Sequence, residues 1–354
     1  MKKILILTRF DDKGASSRYR FYQFIPYLNN NDFDIKVSYL LSNNYLKYIY
    51  SGKTIKKIIF ILQSYIKRII ILTTANNYDL IWIEKENFPW FPFILENFFL
   101  KKFSAFVIDF DDPVFHTYDQ YSNILIRKIY KNKIAKIMKS SNFVVAGNYY
   151  IADYALKKGV NNVKVIPTVV DHEKYLSKKN SSNNKFTIGW IGSPSTARHI
   201  KVAKKAIIQI CSDSNIEFVA IGPNSSDLKD IPVKIIPWLE ETENSNLIKF
   251  DIGIMPLPDT PWERGKCGFK IIQYMASGIP VIASPVGINN HIVDHGINGF
   301  LANNSFDWVK YIKKLKNDSA LRKSMGLAGQ KKVKENYSLE MIAPKILKIL
   351  SKSI

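Results

Sequence analysis

The stretch 250–300, FDIGIMPLPDTPWERGKCGFKIIQYMASGIPVIASPVGINNHIVDHGINGF, constrains the fold of this chain more than any other. An apolar run at 252–255 breaks at Pro256 and Pro258, which reads as a buried strand entering a loop. Beyond Gly268, the residues Phe269, Ile272 and Met275 share one helical face, Ser277-Gly278 is a stop signal, and 280–283 is a second short buried strand. Strand, loop, helix, strand is the repeating unit of a parallel α/β sheet. In such a sheet the loop at a strand's carboxyl end is where ligands bind, and a helix start carrying Lys266 and Lys270 attracts phosphate.

The same alternation runs along the rest of the chain. Short apolar runs at 3–7, 35–40, 80–83, 105–108, 143–146 and 163–166 are separated by helix-period segments, and the pattern restarts at 187–191, 217–222 and 233–238. Between the two series lies DHEKYLSKKNSSNNK, polar and rich in Ser and Asn. A chain of 354 residues is long for one core and suits two domains of roughly 170 residues. The expected organisation is a Rossmann-like domain at 1–170, a linker at 171–185, a second Rossmann-like domain at 186–337, and a terminal helix at 338–354.

Three loops carry candidate chemistry. The first strand is followed by TRFDDKGASSR, where Gly14, two serines and Arg18 precede a helix; this is phosphate-loop chemistry, although βα turns use Gly and Ser in any case. The strand at 187–191 ends in Gly192-Ser193-Pro194-Ser195-Thr196, with Arg198, His199 and Lys201 close behind, which is either a second phosphate site or a hydroxyl N-cap. The strand at 105–108 runs into Asp109-Phe110-Asp111-Asp112-Pro113, three carboxylates that face a reaction centre or cap a helix. His116 stands alone and reads as structural.

The 250–300 stretch resembles the donor-binding segment of retaining, family 4 (group 1) glycosyltransferases, in which a strand near a proline leads through a loop and helix to a G-x-P-V-x-A strand. Those enzymes usually carry two glutamates where this chain has Gly265 and Gln273, and the subgroup with G-K-x-x-x-K-x-x-x-Y-M-A fits better. The resemblance implies an α/β fold of the GT-B type, two Rossmann-like domains with parallel sheets facing across a cleft, with the terminal helix crossing back to the first. It implies transfer of a sugar from a nucleotide diphosphate donor to an acceptor hydroxyl, with retention, in assembly of a bacterial surface polysaccharide such as O-antigen or capsule. It places Asp111, Asp112 and Lys266 in the catalytic centre. Donor binding falls to Gly14, Arg18, Gly192, Ser193, Thr196, Arg198, Trp238, Lys270 and Gln273, with Trp238 holding the base and Gln273 the ribose. Arg198 supplies the charge lost where the family's G-R is Gly192-Ser193. No metal and no cofactor are expected.

Lys+Arg number 51 against 30 Asp+Glu, a formal net charge of +21, so an anionic partner is expected. Nucleic acid is the weakest candidate, since no helix-turn-helix, finger or RNP-like pattern is present. Residues 53–72 form a basic amphipathic helix: Lys53, Lys56, Lys57, Gln63, Ser64, Lys67 and Arg68 fall within an arc of about 140°. That pattern, followed by dense aromatics at 88–103, fits either an anionic membrane surface or a helix packed on a sheet with a solvated basic stripe. The expected acceptor is a glycan or lipid-linked glycan. Two cysteines without ligand spacing, only four apolar residues after Lys3, and no apolar run near the ~18 residues of a membrane span point to the cytoplasm, at the inner face of the membrane. Two rivals are a nucleotide-sugar epimerase of similar fold, which leaves the basic helix without a role, and a basic nucleic-acid-binding protein, which leaves the sugar-transfer motifs without one.

Overall fold

The computed structural model describes residues 1–42, 54–175 and 185–354, with the backbone alone at 54–57. The chain divides into two compact units, one of Met1–Thr168, Gly265–Cys267 and Ile342–Ile354, the other of Val169–Arg264 and Gly268–Met341. Of the linker expected at 171–185, residues 176–184 lie outside the described residues.

The sheet of the first unit contains β1 (Lys2–Phe10), β2 (Phe33–Leu41), β3 (Leu80–Glu84), β4 (Phe106–Phe110), β5 (Phe143–Ala146) and β6 (Val163–Val165), all parallel, in the order β2-β1-β3-β4-β5-β6. Parallel strands covered on both faces have no solvent side, which is why ILIL at 4–7 and LIWI at 80–83 are unbroken apolar runs, fully buried. The chain leaves β1 for β2 on one side and returns to β3 on the other. That reversal opens a crevice at the carboxyl ends of β1 and β3, the usual ligand position in an open α/β sheet.

The second unit repeats the plan. Its strands β7 (Phe186–Ile191), β8 (Ile216–Ile221), β9 (Lys234–Ile236), β10 (Ile252–Met255), β11 (Val281–Ala283) and β12 (Gly299–Leu301) are parallel in the order β12-β11-β10-β7-β8-β9. The reversal here lies between β7 and β10. Gly189 in β7 is obligatory, because a Cβ there would sit 1.9 Å from the Phe250 ring. Both sheets follow the expected α/β plan, and β12 is the one described strand that the apolar runs did not announce.

The helix Thr54–Thr73 departs from expectation. Lys53 lies outside the described residues, as do the side chains of Lys56 and Lys57. Ser64 and Arg68, expected on the solvated stripe, are buried. The Arg68 guanidinium donates to the carbonyls of Thr8 at 2.7 Å and Ser38 at 3.2 Å, and burial lowers its pKa to about 10. Gln63 and Lys67 of that stripe are exposed as expected, and Ile58, Ile59, Leu62, Ile66, Ile69 and Ile70 face water beside them. The Nη2 of Arg68 reaches one carbonyl of β1 and one of β2, contacts an isoleucine cannot make, and the helix docks by the side that carries it, although Nε is buried without a partner among the described residues.

Candidate functional site

In the first unit, the carboxyl ends of β1, β3 and β4 gather a dense set of charges. β3 ends at Glu84, whose carboxylate accepts from the Ser17 hydroxyl at 2.6 Å and the Arg9 amide at 2.7 Å. Lys85 follows with φ of 65°, in the left-handed region that a lysine seldom occupies. This turn aims its buried ammonium at Asp111 Oδ1, 2.8 Å away, and toward Asp112 Oδ2 at 3.5 Å. Ser16 Oγ lies 2.6 Å from Asp111 Oδ2 and 2.8 Å from Glu84 Oε1, so its single proton serves one carboxylate at a time. Burial pushes the Asp111 carboxyl up, but the charge and hydrogen bond of Lys85, with Ser16 and Arg20, outweigh it and hold the carboxyl at about 2. For Lys85 the penalty of burial is likewise outweighed, by Asp111, Asp112 and Glu84, and its pKa is raised.

Asp109 is fully buried against Arg20, whose Nε and Nη2 donate to its Oδ1 at 2.9 and 2.7 Å. Burial pushes this carboxyl up to about 7 against the pull of the guanidinium. The short segment Gly265–Cys267, distant in sequence, belongs to this unit. Asn148 Nδ2 donates to the Gly265 carbonyl at 2.6 Å, and the Cys267 thiol donates to the Asp111 carbonyl at 2.9 Å. Gly147 permits this approach, since a Cβ there would be 2.3 Å from the Cys267 sulfur. Lys266 thereby stands beside Asp112, with Nζ 3.3 Å from Oδ1, and both side chains keep some exposure. Burial pushes the Cys267 thiol up to about 12, so it stays protonated.

In the second unit the carboxyl end of β7 carries Gly192. A Cβ there would be 2.7 Å from Lys270 Cε, so the glycine makes room for that lysine. Lys270 is the second residue of the helix Phe269–Ala276; its Nζ lies 4.5 Å from the Trp190 ring centroid and donates to Thr196 Oγ1 at 3.5 Å. Ser193 Oγ is 2.9 Å from Ser195 Oγ, and the Thr196 hydroxyl donates to the Ser193 carbonyl at 3.0 Å. Nearby, Arg198, His199, Trp262 and Glu263 line an open groove of about 590 Å³. The buried Glu263 lies 3.0 Å from His199 Nε2, accepts from the Thr260 hydroxyl, and is 3.6 Å from Arg198 Nη2.

A separate buried network ties this unit together. Glu243 accepts from Trp238 Nε1 at 2.6 Å and from Gln273 Nε2 at 2.8 Å, with the Tyr175 hydroxyl at 3.4 Å.

Residues 185–318 match the family described as "Glycosyl transferases group 1". This stretch, less than half of the chain, resembles a group 1 glycosyltransferase domain. It contains the whole Gly192, Thr196 and Lys270 cluster. The chain is 22% identical over 221 residues to TuaH of Bacillus subtilis (strain 168), a protein named as a teichuronic acid biosynthesis glycosyltransferase; the match spans 56% of this chain and 54% of that protein, about half the length of the curated relative. Solved structures show the fold of the whole chain. Anabaena HepE in complex with UDP and glucose has a TM-score of 0.74 at 16% identity, covering 99% of this chain and 100% of that one. Sucrose-phosphate synthase of Thermosynechococcus elongatus has a TM-score of 0.74 at 13% identity, covering 99% of each. The fold is therefore GT-B, α/β, with two six-stranded parallel sheets among the described residues.

The expected residues are distributed as follows. Asp111, Asp112 and Lys266 lie together in the first unit, and Gly192, Ser193, Thr196 and Lys270 lie together in the second. Gly14 caps the helix Ala15–Arg20, and a Cβ there would be 2.3 Å from Phe10 Cβ; the Arg18 guanidinium lies 4.8 Å over the Tyr19 ring. Gln273 and Arg198 have these partners in the structure. Gln273 is buried with its amide nitrogen engaged by Glu243 and Tyr175, so it orients Glu243 where a ribose contact was expected. Arg198 is largely exposed and its nearest charge is Glu263, so it is not held beside the Gly192 turn by any contact among the described residues. His116 is structural, bridging Asp119 at 2.9 Å and Tyr150 at 2.8 Å.

Sequence reading counted Ser16 as one of two phosphate-loop serines and passed over Glu84, Lys85 and Glu243. A signal for two of them was present, since Glu84-Lys85-Glu86 places three charges directly after the apolar run 80–83, at the strand beside the chain reversal.

Proposed function

We propose that the protein, a GT-B glycosyltransferase, moves a sugar from a nucleoside diphosphate donor to a hydroxyl of a lipid-linked glycan during assembly of a cell-surface polysaccharide, with retention at the anomeric carbon. The observation that carries this reading is Lys270, held by Gly192, Trp190 and Thr196 at the carboxyl end of β7 within the stretch that resembles a group 1 glycosyltransferase domain. As the glycosidic bond breaks, negative charge grows on the β-phosphate of the leaving nucleotide while the sugar becomes oxocarbenium-like. An ammonium fixed by packing neutralises that charge without reorganising, and the Thr196 hydroxyl, its own proton given to the Ser193 carbonyl, accepts from Lys270 and steadies it.

The first unit supplies the acceptor side. Asp111 is held ionised by Lys85, and Asp112, the more exposed of the two, is flanked by Lys85 and Lys266. Asp112 is the carboxylate with room to meet an acceptor hydroxyl, and Lys266 is the cation beside it. Support for a uridine donor comes from a relative of the same fold: HepE is described in complex with UDP-glucose, at a TM-score of 0.72. Support for a surface polysaccharide comes from the name of TuaH.

The test is thermal melting against a panel of UDP-, GDP- and dTDP-sugars, with product analysis for the ligand that binds. One nucleotide sugar at about 100 times its Kd adds about 2.7 kcal/mol, a shift of several degrees. The shift disappears in Lys270→Ala. A panel without a shift, or conversion of the sugar to its epimer in the absence of acceptor, overturns the proposal.

A further inference from the structure

We infer that the helix Thr54–Thr73 and the turn and helices that join it form a docking surface for an anionic lipid bilayer, into which apolar side chains insert. The inference deepens the reading of a lipid-linked acceptor and rests on it. Ile58, Ile59, Leu62, Ile66, Ile69 and Ile70 occupy a continuous sector of that helix and face water, although a buried sheet lies on its other side. Scattered exposed apolar residues are ordinary, but one helix face made of them marks a contact surface.

The surface continues beyond the helix. Tyr65 Oη donates to the Pro89 carbonyl at 2.6 Å and its ring lies 4.9 Å from that of Phe91. On the other side of this turn, Tyr130 Oη donates to the Trp90 carbonyl at 2.9 Å. Trp90 itself has a φ of 64°, a strained backbone that keeps its indole half out in solvent. The turn thus joins the long helix to Phe93–Leu100, where Ile94 is 82% exposed, and to Ile124–Tyr130, where Leu125 is 68% exposed and no residue is buried.

Charge selects the occupant. In Thr54–Thr73, Phe93–Leu100, Ile124–Tyr130 and the following helix Lys133–Ser140, Glu96 is the sole acidic residue. It is buried, accepting from the Asn87 and Phe88 amides at 2.7 and 3.1 Å with Lys133 at 3.9 Å. Lys67, Lys101, Lys102, Lys128 and Lys136 are exposed on or beside the same elements. Apolar side chains ringed by cations, without an exposed carboxylate, and a Trp at the rim match the boundary between acyl chains and anionic headgroups. A second copy of a chain with net charge +21 is repelled by the same lysines.

The experiment is co-sedimentation with vesicles of phosphatidylglycerol and phosphatidylcholine, against phosphatidylcholine alone, at low and high salt. The wild type binds the anionic vesicles. Salt screens the lysines, yet part of the binding survives, because apolar insertion is not screened. Leu62→Glu with Ile66→Glu and Ile70→Glu lowers the partition coefficient at least about 100-fold, because each insertion of an apolar side chain is lost. Ile94→Glu with Leu125→Glu, on separate elements, gives a loss in the same direction and serves if the triple variant melts below the wild type. Turnover on a short water-soluble acceptor is unchanged in both variants, so failure to bind vesicles is separable from failure of sugar transfer. Absence of wild-type binding, binding abolished by salt alone and insensitive to the substitutions, or a wild-type dimer that the triple variant dissociates, overturns the inference.

Discussion

Replacing Lys85 by Met keeps the volume of the side chain and removes its charge, leaving Asp111, Asp112 and Glu84 around an apolar stem. In the wild type the Asp111 carboxyl sits at about 2, below its ordinary value near 3.9, which favours the ionised folded state by about 2–3 kcal/mol. Without the ammonium, burial acts with little opposition and pushes the carboxyl above its ordinary value. Removing one member of a buried ion pair costs about 3–5 kcal/mol at neutral pH. At about 2–4 °C per kcal/mol for a unit of this size, the melting transition of the first unit drops by about 10 °C. The pH dependence separates this cause from lost packing. In the wild type the depressed carboxyl contributes stability that is complete above pH ~4 and is lost as pH falls toward 2. In Lys85→Met the raised carboxyl has the opposite sign: stability declines as pH rises above ~4, because the folded state must then give up a proton that it holds tightly. The gap between the two proteins therefore widens from pH 4 to pH 7 in calorimetric scans. A gap that stays constant between pH 4 and pH 7, or one under about 1 kcal/mol at pH 7, refutes the assignment of Lys85 as the counter-charge of Asp111.

Gln273→Glu, which restores the residue type usual in the resembled family, sets a second carboxylate against buried Glu243 at the present 2.8 Å contact. One of the two must then hold a proton, so the variant loses about 2–4 kcal/mol at pH 8 and less at pH 5, and equal melting at both pH values contradicts this. Lys270→Ala cuts transfer by about 30- to 1000-fold with the melting temperature of the free protein within a few degrees, and Lys266→Ala acts in the same direction; turnover within threefold of wild type removes either residue from the site. Activity survives EDTA, because Asp109 is matched by Arg20, Asp111 by Lys85, and Asp112 by Lys85 and Lys266; loss on chelation with recovery on adding Mg²⁺ or Mn²⁺ makes these carboxylates metal ligands.

What a parallel sheet requires is local, and it was legible. Short, mainly apolar runs locate β3, β4, β5, β7 and β10 to within a residue or two, and β1 to within three, because strands buried on both faces tolerate little polarity between their ends. The loops that carry Asp111, Asp112, Lys266, Gly192 and Lys270 follow, since the carboxyl ends of such strands are the only places where a ligand reaches backbone and charge together. Tertiary structure decided what periodicity leaves open. Arg68 and the isoleucines of Thr54–Thr73 share one helix, and docking turned the guanidinium inward to the carbonyls of Thr8 and Ser38 and left Ile58, Ile59, Ile66, Ile69 and Ile70 outward. Lys85 became the partner of Asp111 through a left-handed backbone turn that no lysine propensity announces. Gln273 was claimed by Glu243, 30 positions away. Such pairings depend on which groups burial leaves without water, and that is settled only when the elements close upon one another.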